Sequence, residues 1–346
     1  MKKKSIYFIL ISLAFVTVLF VIAGLVFKKE ENEKQQGLTN QYDVSSQGTF
    51  AYVTHDQGKP QLNLYNPDLS LEEKVIELKN DEQILDPTFS SEGDTLAFIT
   101  TDKNQGEDST STVHLLDLGS KKVSELFDAD FLLTELEFSD QDRSLFYIGA
   151  GTYKNYSPIA GPRPHDLDIY EFDFDKNEST QLTTFKKYGL SSLNIAGNGK
   201  AAYYQTDDDD NAKTADEIFE THQRIFKIEF KNKKIETVSD PEREVDVFDF
   251  IMGPDEKTMV FQSISNEGSG DTFIYELYTY DLETKTEKQL THLNEYTERP
   301  VFSSDSKTVY FMVDKKFGVS DPQYHLYKVG IDGDAPKEII LPQMNK

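Results

Sequence analysis

The sequence contains no cysteine and no tryptophan. The absence of Cys excludes disulfide bonds, thiol catalysis, thiolate metal sites and lipid attachment to an N-terminal Cys. Aromatic bulk comes instead from 24 Phe and 18 Tyr residues. The core must therefore be packed with Phe and Tyr together with aliphatic side chains, and a chain of 346 residues is ample for such a core.

Basic residues are scarce outside the N-terminus. Five of the 36 Lys and Arg residues, and none of the 61 Asp and Glu residues, precede residue 30. Residues 30–346 therefore carry 31 basic against 61 acidic residues, a net charge of −30. Charge of this sign disfavours binding to nucleic acid or to an anionic lipid surface, so we expect no nucleic-acid partner.

An uncharged stretch of 23 residues, from Ser5 to Phe27, follows three lysines. As a helix it would be about 35 Å long, enough to cross a hydrocarbon core of about 30 Å. It is longer than the apolar region of a signal peptide, and residues 21–24 make a poor cleavage site. We expect residues 1–4 to be cytoplasmic, residues 5–27 to be a transmembrane anchor and residues 28–41 to be a polar stalk. The protein is then a single-pass membrane protein with the rest of the chain outside the cytoplasm; a cleaved signal peptide is the alternative.

One motif recurs along the rest of the chain. Residues 87–98 read PTFSSEGDTLAF and residues 300–311 read PVFSSDSKTVYF. Related copies centre on Phe138, Ile195 and Met252, and the offsets from Phe89 to Phe302 are 49, 57, 57 and 50 residues. A weaker copy places Val44 another 45 residues before Phe89. A repeat of this period with β-type residues in every copy is typical of a propeller or a solenoid.

Each repeat predicts four strands. An apolar strand end, a polar turn and a β-rich run are followed by two further strand-like segments, and four antiparallel strands make a propeller blade. We predict an all-β, six-bladed propeller over residues 42–346, with blades at about 42–83, 84–132, 133–189, 190–243, 244–296 and 297–346. Phe89, Phe138 and Phe302 should be buried between blades. A β-sandwich is the alternative.

The motif resembles the TolB-type β-propeller repeat, whose typical form is P-x-(W/F)-S-P-D-G-x-x-(I/L)-(A/V)-(F/Y). One copy matches at Pro87, Phe89, Ser90, Gly93, Leu96, Ala97 and Phe98. Another copy matches at Pro300, Phe302, Ser303, Asp305, Val309 and Phe311. The resemblance implies a family of binding platforms, bacterial and of the cell envelope. It departs from the pattern at Ser91 and Ser304, where the Pro is missing, and only a short stalk precedes the first blade where TolB has an N-terminal domain.

The loops between second and third strands differ greatly in length, and in a propeller they gather on one face. The two longest span residues 149–168 and 206–223. Long insertions on one face of a repeat array commonly mark the binding face, although neutral drift in loop length is the alternative. The candidate contact residues are Tyr153, Tyr156, Arg163 and His165 in the first loop, and Asp207, Asp208, Asp209 and Asp210 in the second. The prolines at 158, 162 and 164 also suit a stiff cover over the channel.

The acidic run offers oxygen ligands for a metal ion. Asp207 and Asp209 are candidate Ca²⁺ ligands, but the run lacks the alternating spacing and the glycine of an EF-hand loop. A solvated acidic loop is the simpler interpretation, because blocks of like charge usually face solvent. We therefore expect no cofactor, with calcium as the open alternative.

Catalytic signatures are missing from the sequence. The six histidines are scattered, and there is no H-x-x-x-H, no G-x-S-x-G and no Gly-rich phosphate loop. The sequence favours a non-catalytic binding platform for a protein, a peptide or a cell-envelope ligand. The alternative is a metal-dependent propeller enzyme, lactonase-like or lyase-like, with its site at the mouth of the central channel.

Overall fold

The computed structural model describes residues 7–8, 11–20, 31–139, 141–154, 162–197, 199–214, 217, 220–268 and 272–342. Residues 11–20 are helical, a short helix spans Glu31–Lys34, and 24 strands follow in the described part of the chain. None of the helices in these ranges is long and apolar enough to cross a membrane. The predicted anchor at residues 5–27 falls largely outside the described residues.

The strands form six groups of four in chain order. Blade 1 contains β1 (Gly37–Val44), β2 (Phe50–Asp56), β3 (Lys59–Asn66) and β4 (Leu71–Glu77), and blade 2 contains β5 (Glu82–Phe89), β6 (Thr95–Asp102), β7 (Ser111–Asp117) and β8 (Lys122–Ala129). Blade 3 contains β9 (Leu133–Phe138), β10 (Ser144–Thr152), β11 (His165–Asp173) and β12 (Glu178–Gln181), and blade 4 contains β13 (Leu190–Ala196), β14 (Ala201–Asp207), β15 (Gln223–Glu229) and β16 (Lys234–Thr237). Blade 5 contains β17 (Phe248–Met252), β18 (Thr258–Ile264), β19 (Tyr275–Asp281) and β20 (Thr286–Gln289), and blade 6 contains β21 (Tyr296–Phe302), β22 (Thr308–Asp314), β23 (Tyr324–Gly330) and β24 (Lys337–Ile339).

Within each blade, consecutive strands pair antiparallel. Blades 5 and 6 are also joined by a single parallel bridge between Tyr275 and Tyr296. The predicted all-β propeller of four-stranded antiparallel sheets is confirmed. The first blade begins earlier than expected, because residues 37–41 belong to β1 although we assigned them to the stalk. The polar composition of these residues did not predict a strand. β1 lines the channel, and the only large apolar side chains that it buries before Val44 are Leu38 and Tyr42.

Serine explains how the repeat closes its first turn. Ser90 N–H donates to the carbonyl of Thr95 at 2.9 Å, and Thr95 N–H donates back to Ser90 Oγ at 3.1 Å. The same serine hydroxyl accepts a backbone N–H at Ser45, Ser139 and Ser303. The first Ser of the F-S-S motif is thus a turn-closing residue, which accounts for its recurrence.

Six apolar clusters hold the blades together, one at each boundary between neighbouring blades. Phe89 and Phe98 lie in the cluster between blades 1 and 2, and Phe138 lies in that between blades 2 and 3. The ring is closed between blades 6 and 1, where Met312 and Leu326 pack against Tyr42 and other residues of blade 1. Each blade is built from one continuous stretch of chain, so apolar packing rather than an exchanged strand closes the ring.

The prediction for the motif residues is confirmed for Phe89 and Phe138, which are buried. It is wrong for Phe302, which is only partly buried against the cluster between blades 5 and 6. Its ring edge lies beside Gly253, where a Cβ would stand 3.7 Å from Phe302 Cε2. This position therefore contributes less to the core than its two equivalents.

Candidate functional site: the central channel and the loop face

A polar residue stands three positions before the motif's apolar residue in every blade. The ladder between the two innermost strands is irregular close to this position, as between Leu85 and Thr88, or between Glu298 and Val301. A bulge of this kind turns a side chain away from the regular pleat, here into the channel. The six residues are Gln41, Asp86, Glu135, Ser192, Asp249 and Arg299.

All of these side chains except Arg299 accept backbone hydrogen bonds from the inner strand of the following blade. Gln41 Oε1 accepts the N–H of Asp86 at 2.7 Å, and Asp86 Oδ2 accepts the N–H of Leu136 at 2.7 Å. Glu135 accepts two N–H groups of blade 4, at 2.9 and 2.8 Å. An inner strand is an unpaired sheet edge whose buried N–H groups need acceptors. The channel side chains therefore link neighbouring blades.

Arg299 lies among the acidic residues of the channel. Its guanidinium donates to Asp86, its backbone N–H donates to Asp249, and its carbonyl accepts the hydroxyl of Tyr42 at 2.7 Å. Burial alone would lower the pKa of Arg299, but the carboxylates of Asp86, Asp249 and Glu135 outweigh this and raise it. The guanidinium is therefore a permanent positive charge inside the ring.

One Arg does not neutralise all the carboxyl groups near the channel. Burial raises the pKa of Asp43 to about 6, and burial also raises the pKa of Glu135 and Glu298 to about 7. The channel contains a cavity of about 190 Å³, below the roughly 300–1,000 Å³ of ordinary small-molecule sites. Asp43 and Glu135 accept backbone N–H groups of the following blades, and Glu298 accepts the side-chain amide of Asn40.

A second candidate site is the surface that carries the loops between second and third strands and the connections between blades. We call this surface the loop face. Within it, Arg163 is exposed and its guanidinium lies 3.9 Å from the ring centre of Tyr188. Tyr153 is partly buried against the cluster between blades 3 and 4. Tyr156 lies outside the described residues.

His165 does not belong to the exposed part of this surface. Its side chain is completely buried, Nε2 lies 2.7 Å from the carbonyl of Lys154, and Nδ1 lies 3.0 Å from Asp166 Oδ1. The ring also packs near Tyr188, with 5.3 Å between the ring centres. The sequence predicts a contact residue at this position, but His165 begins β11 beneath the loop and binds the loop backbone at Lys154.

The four aspartates of the second loop are not a free acidic cluster. Lys187 Nζ lies 2.7 Å from Asp210 Oδ1 and also contacts Asp209 Oδ1, while Gln223 donates to Asp207. Asp208 is exposed. The ammonium group thus occupies the place between two of the candidate carboxylates. No group of three or more His, Asp or Glu side chains suited to a metal ion occurs among the described residues.

A groove between blades 5 and 6 opens on the loop face. We call it the aromatic groove; it has a volume of about 380 Å³ and is lined by Asn266, Thr272, Phe273, Ile274, Asn294, Glu295, Tyr296, Asp314, Lys315 and Phe317. The rings of Tyr296 and Phe317 stack with 4.0 Å between their centres, and Tyr275 packs edge-on against Tyr296 at 4.8 Å. Phe273 is 50% exposed and Phe317 is 37% exposed. The groove offers aromatic surface beside the ion pair of Glu295 and Lys315.

Sequence reasoning missed both the channel residues and the aromatic groove. The channel residues carry a signal, because the third position before the motif's apolar residue is polar in all six copies. The groove has a weaker signal, because Phe273 and Phe317 lie in or beside polar loops that are shorter than the two longest insertions. A contiguous exposed apolar patch marks a candidate binding surface, and the sequence alone does not bring these side chains together.

No protein-family model matches the sequence, and no curated protein matches it. Solved structures do match in three dimensions. TolB from Acinetobacter baumannii superposes with a TM-score of 0.57 at 14% identity, covering 90% of this chain and 65% of that one, so the chain spans slightly less than two thirds of the TolB structure.

Two further similar structures are enzymes or parts of enzymes. An oligogalacturonate lyase in complex with manganese has a TM-score of 0.54 at 11% identity, covering 85% of this chain and 77% of that one. The propeller domain of the trilobed protease from Pyrococcus furiosus, described as having an open velcro topology, has a TM-score of 0.52 at 16% identity, covering 89% and 84%. Identities this low show the fold alone. The chain has a TolB-like β-propeller fold.

Proposed function

We propose that this chain is a membrane-tethered, extracytoplasmic binding platform whose loop face takes a protein or peptide ligand. The observation that carries the proposal is the aromatic groove between blades 5 and 6. Exposed aromatic side chains around a concave surface are the usual contact points for a protein or peptide partner. Its volume of about 380 Å³ lies within the range of ordinary binding pockets.

The channel supports binding over catalysis. Asp86, Glu135 and Asp249 accept backbone N–H groups from neighbouring blades, and Arg299 donates to Asp86. A metal site at this place would require these oxygens to leave the contacts that join the blades. The similarity to a manganese-containing lyase is one of fold, and the channel residues described above favour a structural role.

Charge narrows the ligand class further. A net charge of −30 over residues 30–346 repels polyanionic envelope polymers, so a neutral or basic protein or peptide segment is the better fit. Arg163 on Tyr188 and the exposed Asp208 give the loop face a second polar region on blades 3 and 4. We propose this region as a secondary contact.

The test is a binding assay on the detergent-solubilised full-length chain, after a partner has been captured and purified. Phe317→Ser should weaken binding tenfold or more, about 1.4 kcal/mol. The matched control is Leu69→Ser, since Leu69 is an exposed apolar residue (63%) on the opposite face. Equal affinities for parent, Phe317→Ser and Leu69→Ser would place the ligand away from the aromatic groove.

Membrane tethering and orientation are part of the proposal. The uncharged residues 5–27 would span the bilayer and leave residues 28–346 outside the cytoplasm. Carbonate extraction should leave the chain in the membrane fraction. Protease added outside an intact cytoplasmic membrane, with any outer barrier removed, should cleave the propeller. Recovery of a mature chain starting near residue 25–30 in the medium would instead show cleavage.

A further inference from the structure

The segment that joins the proposed anchor to the propeller is packed against the loop face. We call residues 31–36 the docked segment. The carbonyl of Gln35 accepts the N–H of Gly58 at 2.9 Å, and Gln36 Oε1 accepts the N–H of Gln57 at 2.9 Å. Lys103 Nζ donates both to Gln35 Oε1 and to the carbonyl of Gly58. These contacts fix the position at which the chain reaches the propeller.

All of these partners lie on one face. Gln57 and Gly58 form the turn between β2 and β3, and Lys103 opens the loop between β6 and β7. Both loops belong to the loop face, as does the aromatic groove of blades 5 and 6. The turns of the repeat motif lie at the other end of the strands, where Leu69 is also found between β3 and β4.

Gly58 is suited to this contact in two ways. Its φ of +81° lies in the left-handed region that favours glycine, and a Cβ at this position would lie 1.9 Å from the carbonyl oxygen of Asn32. Gly48 offers a comparison in the same blade, since its φ is +75° but a Cβ there would meet no atom within 4 Å. The close approach of the docked segment therefore depends on the absence of a side chain at residue 58.

From these contacts we infer that the loop face is turned toward the membrane and that its ligand is a juxtamembrane peptide segment of a protein in the same bilayer. The inference rests on the proposed function and deepens it. Three residues, Lys28 to Glu30, lie between the end of the proposed anchor at Phe27 and Glu31. Even fully extended, the four steps from Phe27 to Glu31 span at most about 14 Å.

The short tether limits what the face can bind. A gap of about 14 Å next to blades 1 and 2 admits an extended strand or a single helix, whose diameter is about 10–12 Å, but no folded domain. The aromatic groove lies on the same face, at the boundary of blades 5 and 6, and blade 6 packs against blade 1. Val319, which is 86% exposed beside this groove, would face the same gap. The negative charge of the propeller favours a neutral or basic segment.

Energy transfer from single labelled cysteines measures the orientation directly. The chain has no native Cys, so Val319→Cys on the loop face and Leu69→Cys on the opposite face each give one labelled site. The full-length chain is placed in phosphatidylcholine vesicles that carry an acceptor dye on the headgroups. Strands of seven or eight residues separate the two faces by about 25 Å, so transfer from Val319→Cys should exceed that from Leu69→Cys at least about twofold. Equal transfer, or more from Leu69→Cys, overturns the inference.

A second arm tests the docked segment and the width of the gap. Gly58→Ala should bring the two transfer values together, whereas the matched Gly48→Ala should leave them as in the parent. Should Gly58→Ala fail to fold, Lys103→Ala combined with Gln36→Ala removes the side-chain contacts of the docked segment and leaves only the backbone hydrogen bond between Gly58 and Gln35. A polymer-linked maleimide should react with Val319→Cys at least tenfold more slowly than with Leu69→Cys, while a small maleimide reacts with both at similar rates. Unchanged transfer after release of the segment, or equal reaction with the bulky reagent, overturns the inference.

The outcomes separate this inference from the proposed function. A chain that does not float with the vesicles overturns the tethering and the orientation together. Weaker partner binding by Phe317→Ser with equal energy transfer from both faces keeps the binding platform and rejects the membrane-facing orientation. Unequal transfer with normal binding by Phe317→Ser keeps the membrane-facing orientation and rejects the aromatic groove as the binding site.

Discussion

Arg299 of blade 6 forms an ion pair with Asp86 of blade 2, although blade 1 stands between these two blades. The pair crosses the channel and links positions 213 residues apart in the sequence. The channel hydrogen bonds described above for Gln41, Asp86, Glu135 and Asp249 each join neighbouring blades. Arg299 is thus the residue through which the ring is held across its centre as well as around its circumference.

Removal of the channel cation should destabilise the whole propeller. In Arg299→Ala, Asp86 and Asp249 lose their positive partner while Glu135 and Asp43 remain near them. Removal of one partner of a fully buried pair typically costs about 3–5 kcal/mol, and this pair is part-buried, so we expect a loss at or below the lower end of that range. Denaturant unfolding at pH 7.5 measures the loss. The control is Lys257→Ala, which removes an exposed ion pair with Glu283 and should leave the midpoint unchanged. Equal midpoints for Arg299→Ala and the parent would show that the pair does not stabilise the propeller.

The propeller should lose stability as the pH rises from about 4.5 to about 7. Burial raises the pKa of Glu298 to about 7 from an unfolded value near 4.5, so in this range the folded chain binds more protons than the unfolded chain. Stability is therefore highest below pH 4.5 as far as this group is concerned, and it decreases until the folded-state pKa is passed.

Glu298→Gln separates this contribution from the rest of the channel. The amide keeps the shape of the side chain and cannot ionise. The decrease in the free energy of unfolding between pH 5 and pH 8 should therefore be about 2 kcal/mol smaller in the variant than in the parent. Urea unfolding at a series of pH values measures the slope. A parent chain that gains stability with rising pH over this range, or a variant with the parent's slope, would contradict the assignment.

Two equivalent positions of the repeat should respond differently to truncation. Phe89 is buried between blades 1 and 2, and removal of a buried Phe ring typically costs about 3–5 kcal/mol. Phe302 is only partly buried above Gly253, so Phe302→Ala should cost clearly less than Phe89→Ala. Chemical unfolding of the two variants side by side decides the point. A larger loss for Phe302→Ala would show that the partial exposure of its ring does not govern its contribution.

The repeat made the fold predictable, because strand, turn and strand recur in phase and each copy carries its own turn-closing residue. Ser90 and Ser303 illustrate this, since local hydrogen bonds alone explain them. The functional surfaces were harder to predict because they arise between blades. Asp86 and Arg299 meet across the channel, and Tyr296 and Phe317 come from a strand and a loop whose pairing depends on the ring geometry. His165 shows the reverse error, since composition cannot tell a loop residue at the surface from one beneath it.

Calcium should have little effect on the parent chain, and a change at Lys187 should alter that. Lys187 Nζ already contacts Asp209 and Asp210, so a cation at this loop has to displace an ammonium group that two ion pairs hold in place. Lys187→Met keeps the length of the side chain and removes its charge, which leaves carboxylate oxygens of the kind that Ca²⁺ prefers. Thermal unfolding with 1 mM CaCl₂ and with chelator should give equal midpoints for the parent, whereas Lys187→Met should unfold at a higher temperature with calcium than without. Lys257→Met, at an exposed pair far from the loop, is the control. A parent midpoint that falls on addition of chelator would mean that the loop of residues 206–223 holds calcium after all.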